Sequence, residues 1–260
     1  MKRPSFLFPL VTLSTLAAGC RDCSPPPPQP GASTVERPAP EPGPLDTPAT
    51  IAERQHLVRN IQRRESLHPR VVDALLSVPR HVFVPLSIRH LAYEDGPLPI
   101  GEGQTISQPT VVAMMTEALE LRGDETVLEV GTGSGYQAAV LARLCKRVET
   151  IEIIPSLAAA AGQALETAGY HNVRVHVGDG YAGLPELGPF DAVIITAAPP
   201  EIPSALIAQL REGGRLVVPV GPQHGVQELV LVRKHEGGIT RQELGAVRFV
   251  PMVRGNRPPD

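Results

Sequence analysis

Apolar positions along the chain change period several times, and each change marks an element. Across 51–66, Leu57, Val58 and Ile61 gather on one side among charges, the spacing of a helix. Pro69 can open a second short helix that runs to residue 76 and is closed by Pro79. Between 80 and 106 the period is lost. Pro85, Gly96, Pro97, Pro99, Gly101 and Gly103 interrupt the segment, which reads as loops approaching a ligand. Helical spacing returns over 109–121. From there the alternation is regular, with strands expected at 126–130, 147–153, 173–177, 191–196 and 215–220. Helices are expected between them at 136–144, 156–167 and 203–210. Two further strand-like runs, 228–234 and 244–250, suit an antiparallel pair at a sheet edge. Strands alternating with helices predict an α/β fold of the Rossmann-like kind, with a mostly parallel, doubly wound sheet behind N-terminal helices.

The first fifty residues follow none of these periods. Lys2 and Arg3 precede a short apolar stretch over 6–18, and Gly19 and Cys20 follow it. A basic start, a short apolar run and small residues before a cut describe a secretory signal over 1–19. The ending Leu-Ala-Ala-Gly-Cys at 16–20 is similar to a bacterial lipobox, with its leucine one place further upstream than usual. Cys20 is then the lipidated first residue and the only attachment to a membrane. On that reading the protein is expected in a bacterial cell envelope as a lipoprotein; a misread start or an uncleaved tail would leave it in the cytoplasm instead. The apolar stretch is too short to span a bilayer. Residues 20–50 are loaded with proline and read as a stiff, solvated tether. The folded domain is expected over 51–255.

Composition narrows the remaining choices. Hydrophobic residues make up 42% of the 260, while aromatics are 3% and Trp is absent, so the core is built from Val, Leu, Ile and Ala. A formal net charge of −3 gives no basic surface for nucleic acid. Three cysteines make no disulfide framework. Cys20 and Cys23 form a C-x-x-C without a thioredoxin-like surrounding, and Cys145, late in a predicted helix, reads as a small apolar residue. Eight histidines carry no metal-ligand spacing, so no metal is expected. There is no nucleophile elbow and no P-loop lysine.

The candidate chemistry starts at the run Leu-Glu-Val-Gly-Thr-Gly-Ser-Gly-Tyr at 128–136. An apolar strand ends beside a carboxylate, and Gly131, Gly133 and Gly135 follow at alternate positions before a helical pattern. Such a turn admits a nucleotide-containing cofactor close to the backbone. A dinucleotide fingerprint needs a glycine where Tyr136 stands. The G-x-G-x-G form with Glu129 two residues ahead resembles that of S-adenosylmethionine-dependent methyltransferases. In a doubly wound sheet, ligands bind at the carboxyl ends of strands where the order reverses. Glu152 stands at such an end about 20 residues on, where a carboxylate accepts ribose hydroxyls; an exposed charge at a strand end looks the same in sequence. Asp179, in the Gly-Asp-Gly turn with Gly180, can accept from an adenine amino group or simply make a turn. The proline-rich exit at 196–203 is expected to wall the acceptor side.

Beyond the glycine turn, Gly-Glu-Gly-Gln-Thr-Ile-Ser-Gln-Pro at 101–109 resembles the active-site segment of protein-L-isoaspartate O-methyltransferases. The glycine turn, the turn at 178–180, the segment 196–203 and Ala-Val-Arg-Phe-Val-Pro at 246–251 are similar to that family's motifs, in its order and spacing. The resemblance covers 57–253. It implies methylation of the α-carboxylate of L-isoaspartyl residues in damaged peptides and proteins, with S-adenosylmethionine as cosubstrate and repair through a succinimide. It implies Ser107 as the active-site residue, its hydroxyl orienting the acceptor, with Thr105 and Ile106 closing over the cofactor. Ser107 could equally cap the helix that follows. Arg248 reads as a peptide contact or as one half of an edge ion pair. The chain is read as a monomer.

Two other functions fit the same fold: methyl transfer to another acceptor, and an envelope-anchored binding protein without turnover. The leader keeps the latter open, because members of the family are usually cytoplasmic, where the donor is made. The chemistry itself needs little. A carboxylate is ionised at neutral pH and needs no base to become a nucleophile. Catalysis then rests on alignment and on excluding water.

Overall fold

A computed structural model describes residues 45–223 and 225–255. The expected signal segment, Cys20, Cys23 and the tether before residue 45 lie outside them. The chain enters the fold earlier than the sequence pattern suggests. Helix α1 (Pro48–Gln62) begins within the segment expected to be tether. Thr47 and Thr50 explain this by capping each other: the Thr47 hydroxyl accepts from the Thr50 N–H at 3.2 Å, and the Thr50 hydroxyl accepts from the Thr47 N–H at 2.9 Å. Arg54, buried in α1, donates to both oxygens of Asp46 at 2.7 and 2.9 Å, which docks the chain just before the helix.

Helix α2 (Pro69–Ser77) and two 3₁₀ turns (Arg80–Phe83 and Leu86–Leu91) follow. The segment expected to be loops also contains a small antiparallel hairpin, β1 (Leu98–Gly101) and β2 (Gln104–Ile106), ahead of α3 (Pro109–Ala118). Its strands are too short to show a period. The α/β part comprises β3 (Thr126–Val130), α4 (Tyr136–Ala142), β4 (Arg147–Glu152), α5 (Pro155–Thr167), β5 (Val173–Val177), β6 (Phe190–Ile195), α6 (Ser204–Ala208), β7 (Leu210–Val220), β8 (Gln227–His235) and β9 (Gly238–Val247). Proline opens α1, α2, α3 and α5 at the position where a missing N–H costs nothing.

The seven-stranded sheet runs β5-β4-β3-β6-β7-β8-β9. Its first five strands are parallel, while β8 and β9 are antiparallel. One face carries Val127, Val148, Ala192, Ile194 and Val217 against the N-terminal helices and α4. The other carries Leu128, Val130, Val193, Ile195 and Val218 against Leu206 of α6. Chain order reverses between β3 and β6, so the crevice for a ligand lies at their carboxyl ends.

Two edges of the sequence reading need correction. Strand β7 starts at Leu210, because Leu210 pairs with Phe190 before the ladder resumes at Arg215. Strand β9 occupies 238–247 rather than 244–250. Residues 238–243 are mostly exposed polar positions on an edge strand and carry no apolar period. Past Val247 the backbone leaves the ladder. The Phe249 N–H donates to Gln227 Oε1 at 2.9 Å, and the Val250 carbonyl accepts from the Ala198 N–H at 2.8 Å.

Candidate active site

The site is built on the turn after β3, which neighbouring strands hold from both sides. The Thr196 hydroxyl, just past β6, donates to the Gly131 carbonyl at 2.6 Å. A Cβ on Gly131 would lie 2.5 Å from the Thr196 Oγ1, and the φ of Gly131 is +98°, so only glycine fits. From β4, the Thr150 hydroxyl bonds the Thr132 hydroxyl at 2.7 Å. Glu152 at the end of β4 does most. Its Oε2 accepts from the Gly133 N–H at 2.8 Å, and its Oε1 accepts from the N–H groups of Ile153 and Ile154 at 3.0 and 3.1 Å. Three donors leave room for one more at a carboxylate with about four acceptor positions. The carboxylate expected to grip a ribose therefore also fixes the turn.

Above this turn, Gln104, Thr105, Ile106 and Ser107 form one wall of a cavity. Val130, Ile151, Glu152, Ile153 and Ile154 give it a largely apolar floor with a single carboxylate. The segment 250–253 closes the far side, held where Met252 donates its N–H to the Ala198 carbonyl at 2.9 Å. Tyr181 adds a hydroxyl donated to the Met252 carbonyl at 3.2 Å. A second cavity adjoins the first, sharing Thr105, Ser107, Thr196 and Val250 with it. Ser107 thus belongs to the walls of both.

The position of Ser107 is set from below. Arg80 is fully buried and donates to three backbone carbonyls: Ala92 at 2.9 Å, Gly96 at 3.4 Å and Ser107 at 2.9 Å. Its guanidinium also lies 4.7 Å from the centre of the Tyr136 ring. The helix after Ser107 is capped from elsewhere, since Asp95 accepts from the N–H and hydroxyl of Thr110 at 3.0 and 2.7 Å. Gln108 is the N-cap residue. Helix capping is therefore not the role of Ser107, and its hydroxyl makes no hydrogen bond among the described residues.

Of the predicted site residues, Thr105, Ile106, Ser107, Gly131, Gly133, Glu152 and Gly180 come together around the first cavity. Glu129, Gly135 and Asp179 do not line it. Gly135 serves packing: a Cβ there would meet the Leu165 side chain at 3.2 Å. Asp179 folds back to accept from the Tyr181 N–H at 2.9 Å and the Gly255 N–H at 3.4 Å, the local turn that an Asp-Gly pair favours. Glu129 is fully buried, and its carboxyl oxygens make no well-formed hydrogen bond, the neighbouring Thr150 hydroxyl being engaged with Thr132. Burial pushes its carboxyl up to about 8, with the Thr150 side chain opposing and the charge of Glu152 adding to the shift.

Sequence reasoning missed several wall residues. Tyr136 and Gln137 follow the glycine turn on α4 and reach the cavity. Gln137 Nε2 donates to the Thr116 hydroxyl at 3.0 Å, while its Oε1 has no partner. An amide in the first turn of an otherwise apolar helix was the available signal. Arg80 left none, because a lone arginine in a loop reads as a surface charge. Among the described residues no group of three or more His, Cys, Asp or Glu could hold a metal ion, and no helix is long and apolar enough to cross a membrane.

Comparison with known proteins adds three findings. The sequence model of the family "Protein-L-isoaspartate(D-aspartate) O-methyltransferase (PCMT)" matches residues 52–257. A protein-L-isoaspartate O-methyltransferase of Opitutus terrae is 52% identical over 207 residues, 79% of this chain and 89% of that protein. Among solved structures, a protein-L-isoaspartate O-methyltransferase superposes with a TM-score of 0.70 at 31% identity, covering 78% of this chain and 66% of that one, just under two thirds of its length. A Plasmodium falciparum chain assigned to the same activity, in complex with S-adenosyl-L-homocysteine, has a TM-score of 0.69 at 24% identity, covering 78% and 99%; at that identity the likeness concerns the fold.

Proposed function

Because this chain belongs to the protein-L-isoaspartate(D-aspartate) O-methyltransferase family, we propose that it methylates the α-carboxylate of L-isoaspartyl residues in damaged peptides and proteins. The observation that carries the reading is the shared wall at Ser107. One cavity has the character of a nucleoside site, and its neighbour opens onto the same hydroxyl. Neither contains a free base. Glu152 is the one carboxylate of the first cavity and is held by three N–H donors. The second is lined by no carboxylate and no imidazole. Such a site suits an acceptor that arrives already ionised.

The residues fit S-adenosylmethionine as donor. Glu152 has one acceptor position left for a ribose hydroxyl, Ile151 and Val130 offer an apolar floor for a flat ring, and Gln137 Oε1 is an unpaired acceptor beside them. When bound, the donor supplies a sulfonium-activated methyl group, which passes to a carboxylate oxygen while the electron pair of the broken carbon–sulfur bond stays on sulfur and no proton moves. Ser107 donates its hydroxyl to the acceptor carboxylate and orients it. Thr105 and Ile106 hold the wall over the donor, and the segment 250–253 keeps water out. The ester carbonyl is a better electrophile than an ionised carboxylate, so the neighbouring backbone nitrogen attacks it, the carbon–oxygen bond breaks, methanol leaves and a succinimide closes. Water then opens the ring at either carbonyl, one opening giving normal aspartate and the other returning isoaspartate to the cycle.

Initial rates on isoaspartyl and aspartyl versions of one peptide test this reading. Only the isoaspartyl peptide is expected to turn over. Ser107→Ala is expected to lower kcat about 10- to 100-fold with donor affinity unchanged. Equal rates on both peptides would remove the assigned substrate, and a fully active Ser107→Ala enzyme would remove the assigned role.

The pattern of residues 1–20 supports a lipid-anchored envelope location, with Cys20 as the modified residue. Mass spectrometry of the mature N-terminus tests this; an unprocessed Met1 in the soluble fraction would place the protein in the cytoplasm instead.

A further inference from the structure

The second cavity contains one ionisable group. Ser107, Gln108 and Thr105 supply hydroxyls and an amide, while Pro97, Val226 and Phe249 make its walls apolar. Arg248 is the exception. It stands just past the end of β9, at the start of the segment that crosses to Ala198, with an exposed side chain that makes no ion pair or side-chain hydrogen bond among the described residues. The half-buried Arg215 and Arg233 on the neighbouring strands both pair with Glu120, at 2.7 and 2.6 Å, and that pairing does not extend to Arg248. The expectation of an edge ion pair at Arg248 is therefore not met.

Val226 gives a second pointer. It is 52% exposed, one of few large apolar side chains so open, and it lies on the same wall. An apolar strip beside a lone guanidinium is the surface of a peptide groove rather than of a small-ion site.

We propose that Arg248 is a specificity-determining residue that reads a carboxylate on a residue flanking the isoaspartyl group, so that acidic damaged peptides are the favoured acceptors. This rests on the methyl-transfer reading above. The guanidinium does not hold the reacting carboxylate itself. A bidentate fork on that group would draw electron density from the attacking oxygen, and Ser107 already supplies a neutral donor for it. Held at the rim instead, Arg248 adds affinity for one class of sequence and leaves the reaction centre alone.

The test uses the full chain and three isoaspartyl peptides that differ only in flanking Glu, Gln or Lys. For the wild type, kcat/KM is expected to fall in the order Glu, Gln, Lys, through KM rather than kcat, with about a fivefold to tenfold span at low salt. Arg248→Ala is expected to flatten the series while the Gln peptide stays within about twofold of the wild-type value. Arg248→Lys should retain part of the preference, and Arg248→Glu should invert it. A uniform loss on all three peptides would place Arg248 on the reacting carboxylate and overturn the proposal, as would a wild type indifferent to the flank. Calorimetric titration of the same peptides, with S-adenosylhomocysteine present, reads the flank preference without turnover. Failure of the methyl-transfer reading and failure of the Arg248 assignment are thereby told apart.

Discussion

Glu152, proposed above to hold a ribose hydroxyl, also holds the backbone of the turn. Its spacing from the glycine turn made it visible in the sequence, but three of its acceptor positions are spent on the N–H groups of Gly133, Ile153 and Ile154. Removing it would loosen the turn as well as the proposed ribose contact. Glu152→Ala is therefore expected to weaken S-adenosylhomocysteine binding about 10- to 100-fold by calorimetry. Glu152→Gln should recover little, since an amide presents N–H groups to backbone donors; binding near the wild-type level in either variant would contradict this role. Glu129 carries a different consequence. Its carboxyl sits at about 8 in the fold against an ordinary 4.5. Between those values the folded chain holds a proton that the unfolded chain lacks, so stability is full below the lower value and falls as pH rises through the upper one. The slope is at most about 1.4 kcal/mol per pH unit. Glu129→Gln is expected to flatten urea midpoints between pH 5 and 8; parallel profiles would show that the group is ionised throughout. The sequence marked Glu129 through its motif but not its burial. It offered Asp179 as an adenine acceptor or a turn residue, and in the fold its oxygens accept from the N–H groups of Tyr181 and Gly255.

At the scale of elements, the segment 92–107 depends on one arginine. The 3₁₀ turn over 86–91 buries no residue and the β1–β2 hairpin only Leu98 and Ile106, and the guanidinium of Arg80 satisfies carbonyls at Ala92, Gly96 and Ser107. Arg80→Ala leaves those groups unpaired in the interior and is expected to cost about 3 kcal/mol or more. Hydrogen exchange should rise selectively over 92–107, and Arg80→Lys should be intermediate because an ammonium lacks the fork. A uniform rise across the sheet would mean that Arg80 supports the whole fold instead. None of this was legible from sequence, because long-range donation by a buried charge has no local period. The parallel strands were legible because both faces of β3 and β6 are buried and read as largely apolar runs, while β4, also buried on both faces, keeps only Val148 and Ile151 apolar and was placed by the alternation of strands and helices around it. Strand β9 was half hidden for the opposite reason. It lies at the sheet edge, where solvent rather than a core selects its residues.

For the molecule as a whole, the sheet order fixes where chemistry occurs. The reversal between β3 and β6 opens a crevice, Glu152 and the glycine turn occupy its donor side, and the hairpin with Ser107 covers it. The crossing of 248–253 to Ala198 divides donor from acceptor space, and this division was the least legible feature. It depends on hydrogen bonds between residues about fifty positions apart, which no motif records. The central claim is that a donor held in one cavity meets an isoaspartyl carboxylate at Ser107. Its most direct measurement is NMR of an isoaspartyl peptide incubated with protein and S-adenosylmethionine. An α-carboxyl methyl ester should appear first and give way to the succinimide, with the aspartyl twin unchanged. Methyl at any other position, or equal esterification of the twin, would contradict the account.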